Sequence, residues 1–283
     1  MRKFTIDFGS TPFLFTSKTG ASSKRLNWRC EMLLTRNKRT LTGSKILDLA
    51  SHDGRFTYAA LKLGAKHVTG VEGKQYLVDN ANNNLKKLGY HEFVDYNFIC
   101  DDLFNYLSNI KPYQFDTILC FGFLYHTTKQ VELIRNIKRI SPKYFIIDTV
   151  ISKGLINKYS IKSMDLILSR ILKIFRKTRL IHLFKIMSII IRKLRFPKNN
   201  YVNNSKDIKQ PYLLFGEEDI HDEGAIVHSS GLVAQPSEGF LEMMFTIEGF
   251  KYDKIKWHEE NINNWDYIEP YQNGKRLSYI AYL

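Results

Sequence analysis

Residues 46–54 read Ile46-Leu47-Asp48-Leu49-Ala50-Ser51-His52-Asp53-Gly54, and the fold is decided there. An apolar run ends in an acid, a turn of small and polar residues follows, and a glycine closes it. An amphipathic run over 56–63 comes next, and then residues 68–71 lead into Glu72. Strand, turn, helix, strand, acid is the order by which a parallel sheet holds a nucleoside at the carboxyl ends of its strands. The helix N-terminus offers unpaired N–H groups there. The turn must be small, because a ligand lies against its backbone. Glu72 stands 24 residues beyond Asp48, close to the spacing of about 20 expected of an acid that accepts from ribose hydroxyls.

The dinucleotide fingerprint G-x-G-x-x-G would fall on Ala50, His52 and Arg55, and it fails at all three. No G-x-x-x-x-G-K-[ST] loop is present; Gly43-Ser44-Lys45 imitates only its tail and precedes the strand instead of following it. A pyrophosphate wants cations or N–H groups, whereas Asp48 and Asp53 frame this turn. An acidic first turn suits a cationic ligand.

Residues 46–54 resemble motif I of the class I S-adenosylmethionine-dependent methyltransferases, a D-x-G-x-G-x-G turn after the first strand. Asp48 takes the acidic position and Gly54 the last glycine; Ala50 and His52 replace the first two. A second match follows at the expected distance. The buried run 115–121 ends in Gly122-Phe123-Leu124-Tyr125-His126-Thr127. It resembles motif IV of the same enzymes, in the Gly-x-Leu-Tyr-His form seen in several of them, tRNA wobble-uridine modifiers included.

The resemblance implies a fold, a cofactor and a site. The fold is α/β: a doubly wound, mostly parallel seven-stranded sheet with an antiparallel C-terminal strand, plus a helical lid-like insertion. The divisions are an arm and helix over 1–40 that cover the cofactor, a core over 41–151, the insertion over 152–235, and completion of the core over 236–283. The cofactor is S-adenosyl-L-methionine. Its site draws on Asp48, Ala50, Ser51, His52 and Gly54, then Glu72 and Gly73, then Asp101, Asp102 and Leu103, and Phe121 at the end of the fourth strand. In the family an acid after the third strand accepts from the adenine amino group. Asp101 takes that place with Asp102 as fallback, one of the two serving as a helix N-cap. Arg29, on a helix expected over 22–36, could meet the cofactor's carboxylate or lie on a solvated face; Arg25 reads as solvated. His126 is the candidate general base and Tyr125 an orienting residue.

The rest of the chain reads around these motifs. Phe4, Ile6 and Phe8 alternate in a short strand or extended arm. A helix over 237–248, a strand over 251–257 and a last strand over 277–283 complete the sheet. An aromatic content of 13% and a hydrophobic content of 44% provide a sizeable core and argue against disorder. Three scattered cysteines, Cys30, Cys100 and Cys120, form no C-x-x-C and argue against a disulfide framework or zinc site. Asp7, Gly9 and Pro12 interrupt any apolar leader, and no run approaches the ~20 apolar residues of a membrane span. The expectation is a cytoplasmic protein.

The net charge of +14 is unevenly spread. Residues 151–200 hold thirteen Lys and Arg against one acid, Asp165, so this segment carries twelve of the fourteen charges and the core is nearly neutral. Ile161, Met164, Leu168, Ile171 and Phe175 keep helical spacing, as do Leu180, Phe184, Met187, Ile191 and Leu194. Two basic amphipathic helices are predicted. They could wall a pocket for a small-molecule acceptor, bind RNA, or dock on a membrane surface or partner, the last as a non-catalytic module. Downstream, Glu217, Glu218, Asp219, His221, Asp222, Glu223 and His228 are dense in groups that hard cations take. Scattered acids lack a fixed ligand geometry, so no metal site is expected.

Overall fold

Ile46 and Leu47 point to opposite faces of one strand and both are fully buried. A strand covered on both faces belongs to a sheet between two helical layers. The computed structural model describes residues 3–16, 22–153, 210–218 and 231–283, and shows this arrangement. Strand β1 (Lys45–Leu49) pairs in parallel with β2 (His67–Glu72) on one side and β4 (Thr117–Phe121) on the other. Strand β3 (Tyr96–Cys100) extends the sheet beyond β2, and β5 (Tyr144–Val150) extends it beyond β4. Naming β6 (Leu213–Glu217), β7 (Leu232–Pro236), β8 (Lys251–Lys254) and β9 (Arg276–Tyr282), the seven-stranded order is β3-β2-β1-β4-β5-β9-β8. Only β9 runs against its neighbours. The sequence reversal beside β1 is the switch point at which α/β sheets bind ligands.

Alternate strand residues sort into two cores. One face of the sheet packs α1 (Ser23–Leu33), α2 (Arg55–Lys62) and α3 (Gln75–Lys87) through Leu26, Leu33, Ala59, Val78 and Leu85. The other packs α4 (Leu103–Asn109), α5 (Gln130–Ile140) and α6 (Glu238–Ile247) through Leu107, Leu133, Ile137, Leu241 and Phe245. A short helix α7 (Glu269–Gln272) puts Tyr271 into the first core.

Three expectations need correction. The helix expected over 22–36 ends at Leu33, because the Asn37 side chain donates to the Met32 and Leu33 carbonyls at 3.0 and 3.1 Å and turns the chain into a 3₁₀ segment, Thr35–Thr40. No strand forms within the described residues 3–16. Ile6 and Phe8 are buried there instead, with the Phe8 N–H donating to Asn27 Oδ1 at 2.8 Å. The insertion expected over 152–235 also contains sheet: β6 and β7 pair antiparallel as a separate two-stranded ribbon. Residues 1–152 and 211–283 form one compact unit and 153–210 another. The basic helices expected in the second unit lie outside the described residues.

Candidate cofactor and acceptor site

Parallel strands all end on one side, so the residues just past β1, β2, β3 and β4 converge. They border a cavity of about 360 Å³, within the range of small-molecule sites. Ala50 comes from the first turn, Glu72, Gly73 and Lys74 from the second, Asp101, Asp102, Leu103 and Phe104 from the third. Phe123 and residues 126–129 come from the fourth, with Leu232 of β7 beside them.

The first turn explains its missing glycines. Ala50 and His52 have φ of 53° and 55°, the left-handed region that glycine enters without steric cost and other residues at roughly 1–2 kcal/mol. The glycine-type backbone survives while the side chains differ. His52 donates its backbone N–H to Glu72 Oε2 at 3.0 Å, and its ring lies beside Asp53, Nδ1 to Oδ1 3.5 Å. Gly54, with φ of 81°, is needed for packing: a Cβ there would stand 2.9 Å from Leu85 Cδ2 and from the Phe98 ring. Gly70 is a glycine that sequence reading passed over. A Cβ on it would fall 2.4 Å from the Phe98 ring.

The acids differ in where they point. Glu72 is almost fully buried, with Oε2 taken by the His52 N–H and Oε1 by the Lys74 N–H at 3.2 Å. Burial pushes its pKa up, against those hydrogen bonds. The carboxylate borders the cavity and keeps further acceptor capacity. Asp48 is not among the cavity-lining residues; it accepts from Thr57 Oγ1 at 2.8 Å, and burial pushes its pKa up to about 7. Asp53 is buried against Arg55, whose Nε and Nη2 donate at 2.7 and 2.8 Å, and accepts from Thr16 Oγ1 at 2.8 Å. Burial raises its pKa, but the guanidinium outweighs it and holds the carboxyl well below the usual range. The acidic frame expected of this turn, Asp48 and Asp53, is thus turned inward, whereas Glu72 borders the cavity. Ser51 Oγ is buried and has no hydrogen-bond partner among the described residues.

After β3 the two acids divide their work. Asp102 caps α4, accepting from the Phe104 and Asn105 N–H groups at 3.0 and 2.9 Å. Asp101 is held by the Asn105 side-chain amide at 3.0 and 3.1 Å, beside Leu103.

The turn after β4 is held by β7. The buried Gln130 amide donates to the carbonyls of Leu124, Thr127 and Ala234, and the Ala234 N–H donates to the Thr127 carbonyl at 3.2 Å. Glu218, just past β6, thereby reaches His126: Nδ1 to Oε2 is 2.6 Å. A carboxylate only accepts, so His126 carries a proton on Nδ1. The Tyr125 ring lies 4.0 Å from that of His126, centroid to centroid. Phe121 lies away from the cavity, edge-on to Phe56 at 4.9 Å.

Arg29 is not on a solvated face. Its Nη2 donates to Asp148 Oδ2 at 2.7 Å, and the pair is buried. Asp148 also accepts from Arg276 Nε at 2.8 Å, the Tyr271 hydroxyl at 3.0 Å and the Ser278 hydroxyl at 2.8 Å. Burial raises the Asp148 pKa, yet Arg276 and Arg29 outweigh it and leave it lowered. Arg25, expected in solvent, is half-buried near the same group; burial, then Arg29 and Arg276, depress its pKa. Sequence reading missed Asp148 and Arg276, and took Glu218 only as one of a run of possible cation ligands. The signal for Asp148 was an acid inside an otherwise apolar strand.

This donor set fits S-adenosylmethionine. Glu72 matches a ribose diol, Asp101 an adenine amino group, and the left-handed turn with the unpartnered Ser51 hydroxyl gives a close polar backbone. Among the described residues no cluster of His, Cys, Asp and Glu could hold a metal, and no helix is long and apolar enough to cross a membrane.

Sheet order, switch point and acid positions define a nucleoside-binding enzyme of Rossmann-like architecture. The methyltransferase-domain family model matches residues 41–195, more than half of the chain, and the chain belongs to that family. The tRNA U34 carboxymethyltransferase of Nautilia profundicola is 29% identical over 121 residues, 40% of this chain and only 37% of that protein. Two solved structures share the fold at a TM-score of 0.53. The N-terminal domain of EvdMO1 with S-adenosylhomocysteine bound is 14% identical (92% of this chain, 80% of that one). An S-adenosylmethionine-dependent methyltransferase from Mesorhizobium loti is 12% identical (91% and 100%).

Proposed function

We propose that this chain methylates an oxygen or nitrogen of a small-molecule acceptor, with His126 as general base. The cofactor supplies an activated methyl on a sulfonium, and in-line transfer makes alignment the protein's main task. Glu72 receives the ribose hydroxyls, Asp101 the adenine amino group, and the backbone of 50–52 the part of the cofactor next to it. Glu218 keeps a proton on His126 Nδ1, which makes Nε2 the nitrogen that takes the acceptor's proton. Such a base contributes about 10²–10⁴-fold. Tyr125, its ring tilted against that of His126, orients the acceptor.

The observation that carries this reading is His126, paired with Glu218 and set in the wall of the cavity that Glu72 and Asp101 also border. Titration calorimetry with S-adenosylhomocysteine tests the cofactor site. Transfer of labelled methyl to small-molecule fractions, compared between wild type and His126→Gln, tests the base. The expected result is binding in both proteins and a rate at least 100-fold lower in the variant. Equal rates remove the base role; binding of NAD or ATP in place of the homocysteine removes the reading.

A second acceptor class, tRNA, is favoured by the partial similarity to a tRNA-modifying enzyme and by the charge of residues 151–200. It predicts tRNA affinity that falls steeply with salt, about 10³-fold or more between 50 and 200 mM for six or more phosphate contacts. Charge reversal at Arg176, Lys177 and Arg179 should then abolish it. Salt-insensitive or absent binding leaves the small-molecule reading alone.

A further inference from the structure

Beside the turn after β4, one acid faces three cations. Asp148 is saturated by Arg29, Arg276, Tyr271 and Ser278, which use both of its oxygens. The buried Arg29 keeps an Nε with no acceptor. Half-buried Arg25, one helical turn from Arg29, has no carboxylate or carbonyl partner for its guanidinium among the described residues. The surplus is two positive charges in a space largely removed from water, where an uncompensated charge is costly.

Arg276 reaches the turn after β4 that carries His126. Arg276 Nη2 is 3.2 Å from where a Gly122 Cβ would stand, and its guanidinium is 5.7 Å from the Tyr125 ring centroid. The Tyr125 ring in turn lies beside that of His126, tilted by 38°. Asp148 is the register partner of Phe121, the last residue of β4. The cofactor does not neutralise this charge: with a sulfonium, an ammonium and a carboxylate it brings a net positive charge of its own.

We propose that the acceptor carries an anionic group, a carboxylate or phosphate, which seats against Arg25 and Arg276 and places the acceptor atom at His126. The proposal rests on the methyl-transfer reading of the cavity. Arg25 and Arg276 then set acceptor specificity, while Asp148 fixes Arg276 and Arg29 in place. An uncharged analogue of the true acceptor leaves the guanidinium groups unmatched and is rejected. A guanidinium suits the task, since its planar fork meets two oxygens of a carboxylate or phosphate at once.

The test uses the full chain loaded with S-adenosylhomocysteine, titrated with inorganic phosphate and, separately, malonate at constant ionic strength held by chloride. Arginine side-chain NMR signals report binding, and calorimetry reports the homocysteine affinity. The expected result is saturable shifts with either anion, weakened at least tenfold in Arg25→Gln, with homocysteine affinity changed less than twofold. Arg25→Lys should recover part of the anion affinity. If Arg25→Gln instead weakens the homocysteine tenfold and wild type shows no saturable anion shift, the cluster serves the cofactor's own carboxylate and the proposal is overturned. Homocysteine binding with no anion binding, and no effect of Arg25→Gln on either, overturns it while leaving the methyl-transfer site standing. Failure of wild type to bind the homocysteine refutes that site and the acceptor seat with it.

Discussion

Replacing Glu72 by glutamine keeps the side chain's volume and changes what its two ends can do. In the native chain Oε2 accepts from the His52 N–H at 3.0 Å and Oε1 from the Lys74 N–H at 3.2 Å. The ribose hydroxyls would take the remaining lone pairs. A glutamine has one acceptor oxygen, and its NH₂ end must face one of these two N–H groups. Hydrogen bonds to a charged group are worth roughly 1.5–3 kcal/mol and neutral ones roughly 0.5–1.5, so two ribose bonds lose about 2 kcal/mol together. That is about 30-fold in Kd. The donor facing a donor costs folding stability separately, on the order of 1–3 kcal/mol. Titration calorimetry with S-adenosylhomocysteine measures the first loss and urea unfolding the second. 5′-Methylthioadenosine, which keeps the ribose and lacks the amino-acid part, should suffer the same factor. Because burial raises the Glu72 pKa and the ribose prefers the carboxylate, wild-type affinity should also rise as pH climbs through that value, and the glutamine variant should lose this rise. Homocysteine affinity within threefold of wild type, in a protein that unfolds at the wild-type urea concentration, would refute ribose recognition by Glu72.

The other predictions concern residues around the same turns. Asp48, with its pKa pushed to about 7 from 3.8, favours the folded state when protonated; that stability is full below pH 4 and lost as pH rises through 7. Asp48→Asn should remove on the order of 2–4 kcal/mol of this pH dependence, read as urea unfolding at pH 5.5 and 8.5, and equal slopes in both proteins would count against it. His52→Gly relieves the left-handed strain and keeps the backbone N–H, so the melting temperature should rise by about 2–4 °C with homocysteine binding unchanged; a fall would mean that the ring's contact with Asp53 outweighs the strain. Glu218→Ala should shift the neutral His126 proton from Nδ1 to Nε2 in ¹⁵N NMR and lower the transfer rate about tenfold or more; an unmoved tautomer removes Glu218 from its positioning role.

How much of this was legible from the chain depends on how local each feature is. Residues 46–73 carry strand, turn, helix, strand and acid in one stretch, and the structure builds β1, α2, β2 and Glu72 in that order. Two glycines were missing from the motif because its requirement is a backbone conformation, and Ala50 and His52 meet it at an energetic cost. Letters alone do not report φ. Asp101 and Asp102 were read as an adenine ligand and a helix cap, and the N-cap bonds of Asp102 settle which residue caps. The ribbon β6–β7 went unread because its strands are 14 residues apart.

The acceptor side is built the opposite way. Arg29, Tyr271, Arg276 and Ser278 reach Asp148 across 119, 123, 128 and 130 residues of chain. No local pattern links them, and each alone reads blandly: a helix cation, an aromatic in a loop, a charge before a strand. What brings them together is the insertion of β9 antiparallel beside β5, with Arg276 opposite Val150 and Ser278 opposite Asp148. That register sets Ser278 and Arg276 around Asp148 on the sheet face that α1 covers. Helix α1 then supplies Arg29, and the same helix carries Arg25 one turn earlier. The turn and ribose acid of the cofactor site are therefore encoded in one contiguous stretch, which tolerates substitution as long as its backbone shape survives. Acceptor recognition depends on four distant pieces held by a single buried acid. Asp148→Asn should accordingly leave the ribose contact at Glu72 untouched and loosen Arg276 and Arg29 together, so that anion binding falls while 5′-methylthioadenosine binding does not. Equal loss of both would mean that the two halves of the site are one mechanical unit.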